Sequence, residues 1–213
     1  MKKVLIVGGG PANQEQLKQE LAQNPDMIIV ADGGAKLFKN MGVFPQVVIG
    51  DLDSLDEDSI NWLTTREVKI LRFPVDKDET DLELAIDYAI HNGAVSLRIL
   101  GGLGGRFDHS LGNIGLLLRA KKKGAEACLI DENHQITVSL GETMLQPRKG
   151  WAVSLLPLSN EVTGVTTTGL AYPLINETLY FTGSRGLHNR FLNDFAAVKF
   201  DQGILLIVYF KEA

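Results

Sequence analysis

Four short stretches of this chain gather residues that can hold a metal ion and a phosphate: Asp32-Gly33-Gly34, Gly50-Asp51-Leu52-Asp53-Ser54, Asp76-Lys77-Asp78-Glu79-Thr80-Asp81 and Gly101-Gly102-Leu103-Gly104-Gly105-Arg106-Phe107-Asp108. Aspartate is also a common turn and helix-start residue, and Asp56, Glu57 and Asp58 read as capping groups alone. Taken singly, Gly50 to Asp53 fits a plain turn as well as a metal site. Taken together, like charges from several loops repel, and a bound divalent cation is the usual compensation. Carboxylates without a histidine-cysteine set suit a hard ion such as Mg²⁺, held by one or two carboxylates plus substrate phosphates. Glycines 101 to 105 let backbone N–H groups approach an anion, and Arg106 offers a forked partner for phosphate oxygens. On its own that run is a weak signal, since it also fits a flexible strand-to-helix turn. Neither it nor Gly8-Gly9-Gly10 completes a P-loop or a dinucleotide fingerprint.

The elements that must position these loops follow from periodicity. Short β-branched runs at Val4 to Val7, Met27 to Val30, Val47 to Ile49, Val68 to Phe73, Val95 to Leu100 and Ala127 to Ile130 predict strands. Helical segments separate them: Gln14 to Gln23, Ala35 to Met41, Ser59 to Thr64, Thr80 to Asn92 and Ser110 to Lys123. Thr80 with Glu83 has the form of a capping box, and Gly93 suits the C-terminal cap. Alternation of this kind predicts an open, mostly parallel α/β domain, in which ligands bind beyond the carboxyl ends of the strands. The four acidic, glycine-rich stretches follow four of those strands. After Asp131 the pattern changes to short strands at Gln135 to Leu140, Ala152 to Leu156, Glu161 to Thr167, Leu179 to Thr182, Ala196 to Phe200 and Ile204 to Phe210. These predict a small antiparallel β-sandwich or barrel. The expected fold class is therefore α/β plus all-β, with domains over residues 1–132 and 133–213.

Composition excludes several classes. The chain has 213 residues, 45% hydrophobic and 22% charged, a formal net charge of -5 and a mean hydropathy of +0.04. With 26 acidic against 21 basic residues, and Lys121-Lys122-Lys123 as the only basic run, no nucleic-acid partner is expected. No apolar run approaches the ~20 residues of a membrane helix, and Val4 to Val7 is too short for a signal-peptide core. The single cysteine, Cys128, lies in an apolar strand and reads as a small hydrophobe. A soluble protein of the reducing cytoplasm is expected.

Read in order, Asp32-Gly33-Gly34-Ala35, Gly50-Asp51-Leu52-Asp53-Ser54, Asp76-Lys77-Asp78-Glu79-Thr80-Asp81 and Gly101 to His109 resemble the signatures of the thiamine pyrophosphokinase family. Thr167-Thr168-Gly169-Leu170-Ala171-Tyr172 and Ser184-Arg185-Gly186-Leu187-His188-Asn189 are similar to that family's thiamine-binding segments. The resemblance spans roughly residues 28 to 208. It implies transfer of a pyrophosphoryl group from ATP to the hydroxyl of thiamine, giving thiamine diphosphate and AMP. It also implies Mg²⁺ at Asp51, Asp53 and Asp81, with Asp76 and Asp78 shaping the same pocket. ATP is expected at Asp32, Gly33, Gly34, Gly102, Gly104, Arg106 and Asp108, and thiamine at Asp76, Thr80, Tyr172, His188 and Asn189. A homodimer with a shared active site follows from the same resemblance. Tyr172 stands where some relatives carry tryptophan, and His188 where a small hydroxyl residue is common.

Phosphoryl-transfer logic gives these residues roles. Positioning and neutralisation of phosphate charge do most of the catalysis, so Asp51, Asp53, Asp81 and Arg106 belong to the catalytic set, and Asp78 is a candidate acceptor for the hydroxyl proton. Asp76-Lys77-Asp78-Glu79-Thr80 also matches the Asp-x-Asp-x-Thr form of haloacid-dehalogenase-type phosphatases. In those enzymes the nucleophilic aspartate comes early, whereas here Gly50 to Asp53 precede it and Pro74 interrupts the strand expected before it. A thiamine- or nucleotide-binding sensor would need the pocket without the in-line metal geometry.

Overall fold

The computed structural model describes residues 1–39 and 41–212, and the chain divides into two compact units, Met1–Glu132 and Asn133–Ala213. The first contains β1 (Lys2–Val7), β2 (Met27–Ala31), β3 (Val47–Gly50), β4 (Lys69–Arg72), β5 (Ala94–Leu100) and β6 (Glu126–Ile130). All neighbours pair in parallel, in the order β6-β5-β1-β2-β3-β4. Val4 to Val7, Ile28 to Ala31 and Val47 to Ile49 are buried without alternation, as expected of parallel strands covered on both faces. Successive connections run from β1 outward to β4, and the chain then returns to the other side of β1 as β5. The sheet therefore has its topological switch point between β1 and β5, where open α/β sheets bind ligands.

The helices are α1 (Gln14–Leu21), α2 (Glu57–Thr64), α3 (Asp81–His91) and α4 (Phe107–Lys122). Asp56 caps α2, accepting from the Ser59 N–H at 2.8 Å. The expected capping box at α3 is half formed. Thr80 Oγ1 accepts from the Glu83 N–H at 3.2 Å, but Glu83 turns its carboxylate to Arg119, 3.2 Å away. A full box lies at α1 instead, between Asn13 and Gln16. The helix expected over Ala35 to Met41, of which residue 40 lies outside the described residues, is a 3-10 helix over Asp32–Phe38. Asp32 takes φ 44°, so the chain turns sharply as β2 ends and winds tightly at once. A Cβ at Gly34 would stand 2.3 Å from the Val7 carbonyl oxygen, so only glycine allows that turn to lie against β1.

The second unit holds two antiparallel sheets of four strands. One follows the order β12 (Asn189–Arg190), β9 (Trp151–Pro157), β14 (Leu205–Lys211), β7 (His134–Ser139); the other β11 (Glu177–Tyr180), β10 (Glu161–Thr168), β13 (Ala197–Lys199), β8 (Thr143–Met144). Val153, Leu155, Leu205 and Ile207 share a core with Val162, Val165, Leu179 and Val198, so side chains of both sheets fill one interior and the architecture is a sandwich. Strands β8 and β12 went unread in the sequence, because two residues carry no alternation.

Candidate active site

A cavity of about 580 Å³ opens at the switch point, lined by the loops after β1, β2 and β5, the approach to α3 and the start of α4. Its floor is backbone against backbone. The Gly8 N–H donates to the Leu100 carbonyl at 2.8 Å, and the Gly10 N–H to the Gly101 carbonyl at 3.0 Å. A Cβ at Gly10 would stand 2.5 Å from that Gly101 oxygen. The glycine runs after β1 and β5 are thus required by each other, and they leave the cavity wall without side chains.

Carboxylates crowd the adjoining edge. Asp32, Asp51 and Asp53 each offer an oxygen within 4.8 Å of the other two. Leu52, at φ 66°, buries its side chain in the core, which leaves Asp51 and Asp53 on the site side of the turn. Asp81 stands beside them. A Cβ on Gly50 would lie 3.1 Å from Asp32 Cβ and 3.2 Å from Asp81 Cγ, so glycine at 50 lets the two carboxylates flank the end of β3. Among the described residues, four buried side-chain atoms lack a hydrogen-bond partner, and three are here: Asp32 Oδ1, Asp81 Oδ1 and Ser54 Oγ. Burial pushes the Asp81 carboxyl up, with Lys77 opposing and Asp32 and Asp51 adding to the rise. The neighbouring charge of Asp51 pushes Asp53 up. Buried oxygens without an aligned hydrogen bond, on mutually repelling carboxylates opposed by Lys77 alone among the causes of the Asp81 shift, are the donor set a hard divalent cation satisfies.

The acidic loop before α3 divides by position. Val75, Lys77, Glu79, Thr80 and Asp81 line the cavity, whereas Asp76 and Asp78 are exposed and outside its lining. Lys77 donates to the Pro74 carbonyl at 3.0 Å and its Nζ stands 3.2 Å from Asp81 Oδ1. Arg106 also lines the cavity, but its guanidinium is forked onto Asp108, with Nε 3.1 Å from Oδ1 and Nη2 2.5 Å from Oδ2. That pairing holds the Asp108 carboxyl down at about 2. Asn113 Nδ2 donates to the Gly102 carbonyl at 2.8 Å and anchors the glycine loop to α4.

In the β-sandwich, Tyr172 is 59% exposed. Asn189 is buried, and its amide is committed to the backbone of Tyr172: Oδ1 accepts from the Tyr172 N–H at 2.9 Å and Nδ2 donates to its carbonyl at 2.6 Å. Oδ1 also accepts from the Arg190 N–H at 3.0 Å. Asn189 therefore holds Tyr172 in place rather than presenting a free amide. His188, at φ 51°, sets Nε2 3.2 Å from Glu212 Oε1 and packs edge-on to Phe210.

Comparison with known proteins follows this division of the chain. Residues 18–129 match the model of the thiamin pyrophosphokinase catalytic domain, and residues 133–205 that family's vitamin B1 binding domain. The chain belongs to the thiamin pyrophosphokinase family. It is 30% identical over 210 residues to a thiamine pyrophosphokinase of Bacillus subtilis, covering 98% of each chain. It is 27% identical to thiamine pyrophosphokinase 2 of Arabidopsis thaliana, covering 90% of this chain and 81% of that one. The crystal structure of the Bacillus subtilis enzyme superposes with a TM-score of 0.87 at 28% identity over the whole of both chains. That of the Geobacillus thermodenitrificans enzyme does so with 0.83 at 28% identity, over 99% and 98%.

Set against the thiamine pyrophosphokinase motifs, the structure gathers Asp32, Asp51, Asp53 and Asp81, and brings Gly102, Gly104, Thr80 and Arg106 to the same cavity. The tightest carboxylate group contains Asp32, which the motifs place beside the nucleotide. The sequence reading missed Gly8 to Pro11, His109 and Asn113, all of which line the cavity. Gly8-Gly9-Gly10 was legible as the end of β1, but its neighbour after β5 is set by strand order, about 90 residues later in the chain.

Proposed function

We propose that the chain transfers the pyrophosphoryl group of ATP to thiamine at the edge formed by Asp32, Asp51, Asp53 and Asp81, with Mg²⁺ held there. What carries this reading is the coincidence, at the switch point of a parallel sheet, of buried carboxylate oxygens that lack a hydrogen bond with a glycine-floored cavity. Asp32, Asp51, Asp53 and Asp81 would hold the cation, which when bound would neutralise polyphosphate charge. With the Gly8 and Gly10 N–H groups held by the Leu100 and Gly101 carbonyls, the run Gly101 to Gly105 admits the triphosphate close to its own backbone N–H groups. Arg106, oriented by Asp108, meets the charge that moves toward AMP.

The thiamine hydroxyl oxygen bonds to the β-phosphorus as the bridge to the α-phosphate breaks, and that electron pair leaves with AMP. The hydroxyl proton passes to a carboxylate beside the bound thiamine, for which Asp78 is the motif's candidate. Asp76 and Asp78 stand outside the cavity lining of their own subunit, where a substrate held by a partner subunit would meet them. A homodimer accords with the exposed aromatic and aliphatic side chains of the sandwich, among them Tyr172, Tyr180, Phe181, Leu192 and Phe195. Tyr172 then supplies the ring face for thiamine, with Thr80 and His188 at the margins. A single buried cysteine suits the cytoplasm, and among the described residues no helix is long and apolar enough to cross a membrane.

Incubation of the purified protein with thiamine, Mg²⁺ and γ-labelled ATP tests the reaction. Label in thiamine diphosphate with stoichiometric AMP is expected. ADP with thiamine monophosphate, or free phosphate with a phospho-aspartate, would overturn it.

A further inference from the structure

The cations of the cavity lining are Lys77 and Arg106, and they are placed differently. Arg106 lies on the exposed rim with two guanidinium nitrogens given to Asp108. Lys77 is inside, its side chain only 12% exposed, anchored by one N–H on the Pro74 carbonyl. Its Nζ is 3.2 Å from Asp81 Oδ1, yet that oxygen has no aligned hydrogen bond. The contact is therefore electrostatic and weakly directed. An ammonium on a flexible stem has three donors, of which one is fixed here.

Standing 3.2 Å from Asp81 Oδ1 within the cavity lining, Lys77 is an internal counter-ion of the carboxylate edge. A divalent cation on the same carboxylates competes with it for Asp81, because the two cations repel each other there. The nearest new partner for a displaced ammonium is the anion entering the same cavity.

We propose that Lys77 is a catalytic residue with two successive partners: Asp81 in the metal-free protein, and non-bridging polyphosphate oxygens once metal and nucleotide have entered. This rests on the reading given under Proposed function. The exchange makes nucleotide capture depend on the metal: the carboxylates release their lysine only when a stronger cation replaces it, and the freed ammonium then completes neutralisation of the migrating group. Lys77 forms no covalent bond and transfers no proton; it donates N–H hydrogen bonds while the β-phosphorus changes partner.

The test compares Lys77→Met, Lys77→Gln and Lys77→Arg with wild type in the full chain, with circular dichroism and thermal melts on each. Mn²⁺ is titrated by electron paramagnetic resonance without nucleotide. Removal of the competing charge should tighten Mn²⁺ binding about tenfold in the Met and Gln variants, and Arg should leave it near wild type. With Mg²⁺ and the α,β-methylene analogue of ATP, whose α,β bridge cannot be cleaved, the neutral variants should bind the nucleotide about tenfold more weakly. AMP formation should fall on the order of 10²-fold in kcat, with substantial recovery in Lys77→Arg. Unchanged or weaker Mn²⁺ binding in folded neutral variants would overturn the exchange, and so would a kcat within twofold of wild type. Absence of AMP from wild type itself would instead remove the reaction assigned above, while the Mn²⁺ titration would still decide whether Lys77 competes for Asp81.

Discussion

The catalytic edge and the face of the sandwich around Tyr172 solve opposite problems. At the edge, polar atoms are buried and left without partners, two non-glycine residues, Asp32 and Leu52, sit at positive φ, and charges of one sign are pressed together. Around Tyr172 the polar atoms are satisfied from within, since Asn189 is fully engaged by backbone, and what is left open is apolar ring surface. The first region stores unfavourable electrostatics, which on the proposed reading a cation and a polyphosphate relieve. The second is a satisfied surface, which on the proposed reading binds thiamine by stacking and burial. Damage at the edge should therefore remove chemistry and leave the fold sound, whereas damage beneath Tyr172 should weaken the fold and spare the nucleotide.

The largest effect is expected at the edge. Asp51→Asn or Asp81→Asn should lower turnover by on the order of 10²–10³ or more, with an unchanged circular dichroism spectrum and a metal-free melting temperature at or above wild type. Near wild-type activity in both variants at saturating Mg²⁺ would dissolve the contrast.

Next comes Asn189→Ala. It strips two hydrogen bonds from the Tyr172 backbone and one from Arg190, and should cost about 2–3 kcal/mol in urea unfolding. Thiamine KM should rise with ATP KM unchanged. Loss of ATP binding with stability intact would place Asn189 in the wrong region.

A smaller change separates ring from scaffold. Tyr172→Ala should raise thiamine KM by about 5–30-fold, corresponding to roughly 1–2 kcal/mol. Stability should stay near wild type because the side chain is exposed, and Tyr172→Trp should restore binding. Equal KM for all three proteins would leave Tyr172 a surface residue.

The finest test uses pH. Asp53 and Asp81 have raised carboxyl pKa values in the folded protein, so their ionised forms oppose folding at neutral pH. The opposition is relieved as pH falls through the folded values toward the ordinary carboxylate range. Asp108, held at about 2 by Arg106, has the opposite sign: its contribution is present above the ordinary value and is lost as pH falls toward 2. Metal-free wild type should therefore gain on Asp81→Asn in melting temperature as pH drops from 7 toward 4. A constant difference across that range would remove the electrostatic strain assigned to the edge.

What could be read from the sequence, and what could not, follows the range of the interactions. Parallel strands buried on both faces appear as unbroken apolar runs, and helix caps need only a few neighbouring residues, so β1 to β6 and the caps of Asp56 and Thr80 were legible. The 3-10 helix at Asp32 was not, because it lies where Gly34 packs against the Val7 carbonyl, a contact set by the pairing of β1 with β2 and not by local periodicity. In the same way, Asp76 and Asp78 are indistinguishable in type from Lys77's other neighbours, and only the path of the loop turns Val75, Lys77 and Glu79 to the cavity.

By itself, the sequence determined the alternation of strand and helix, the change to β structure after Asp131, and the chemical character of the loops, because composition and short-range periodicity are local properties. Tertiary structure alone decided that the loop after β1 lies against the loop after β5, that Asp32 joins Asp51 and Asp53, that Lys77 faces Asp81, and that Asn189 serves Tyr172. Each of these pairings joins side chains or backbone brought together by strand order or by the course of a loop. Residue type records that a carboxylate or an amide can bond; packing chooses its partner.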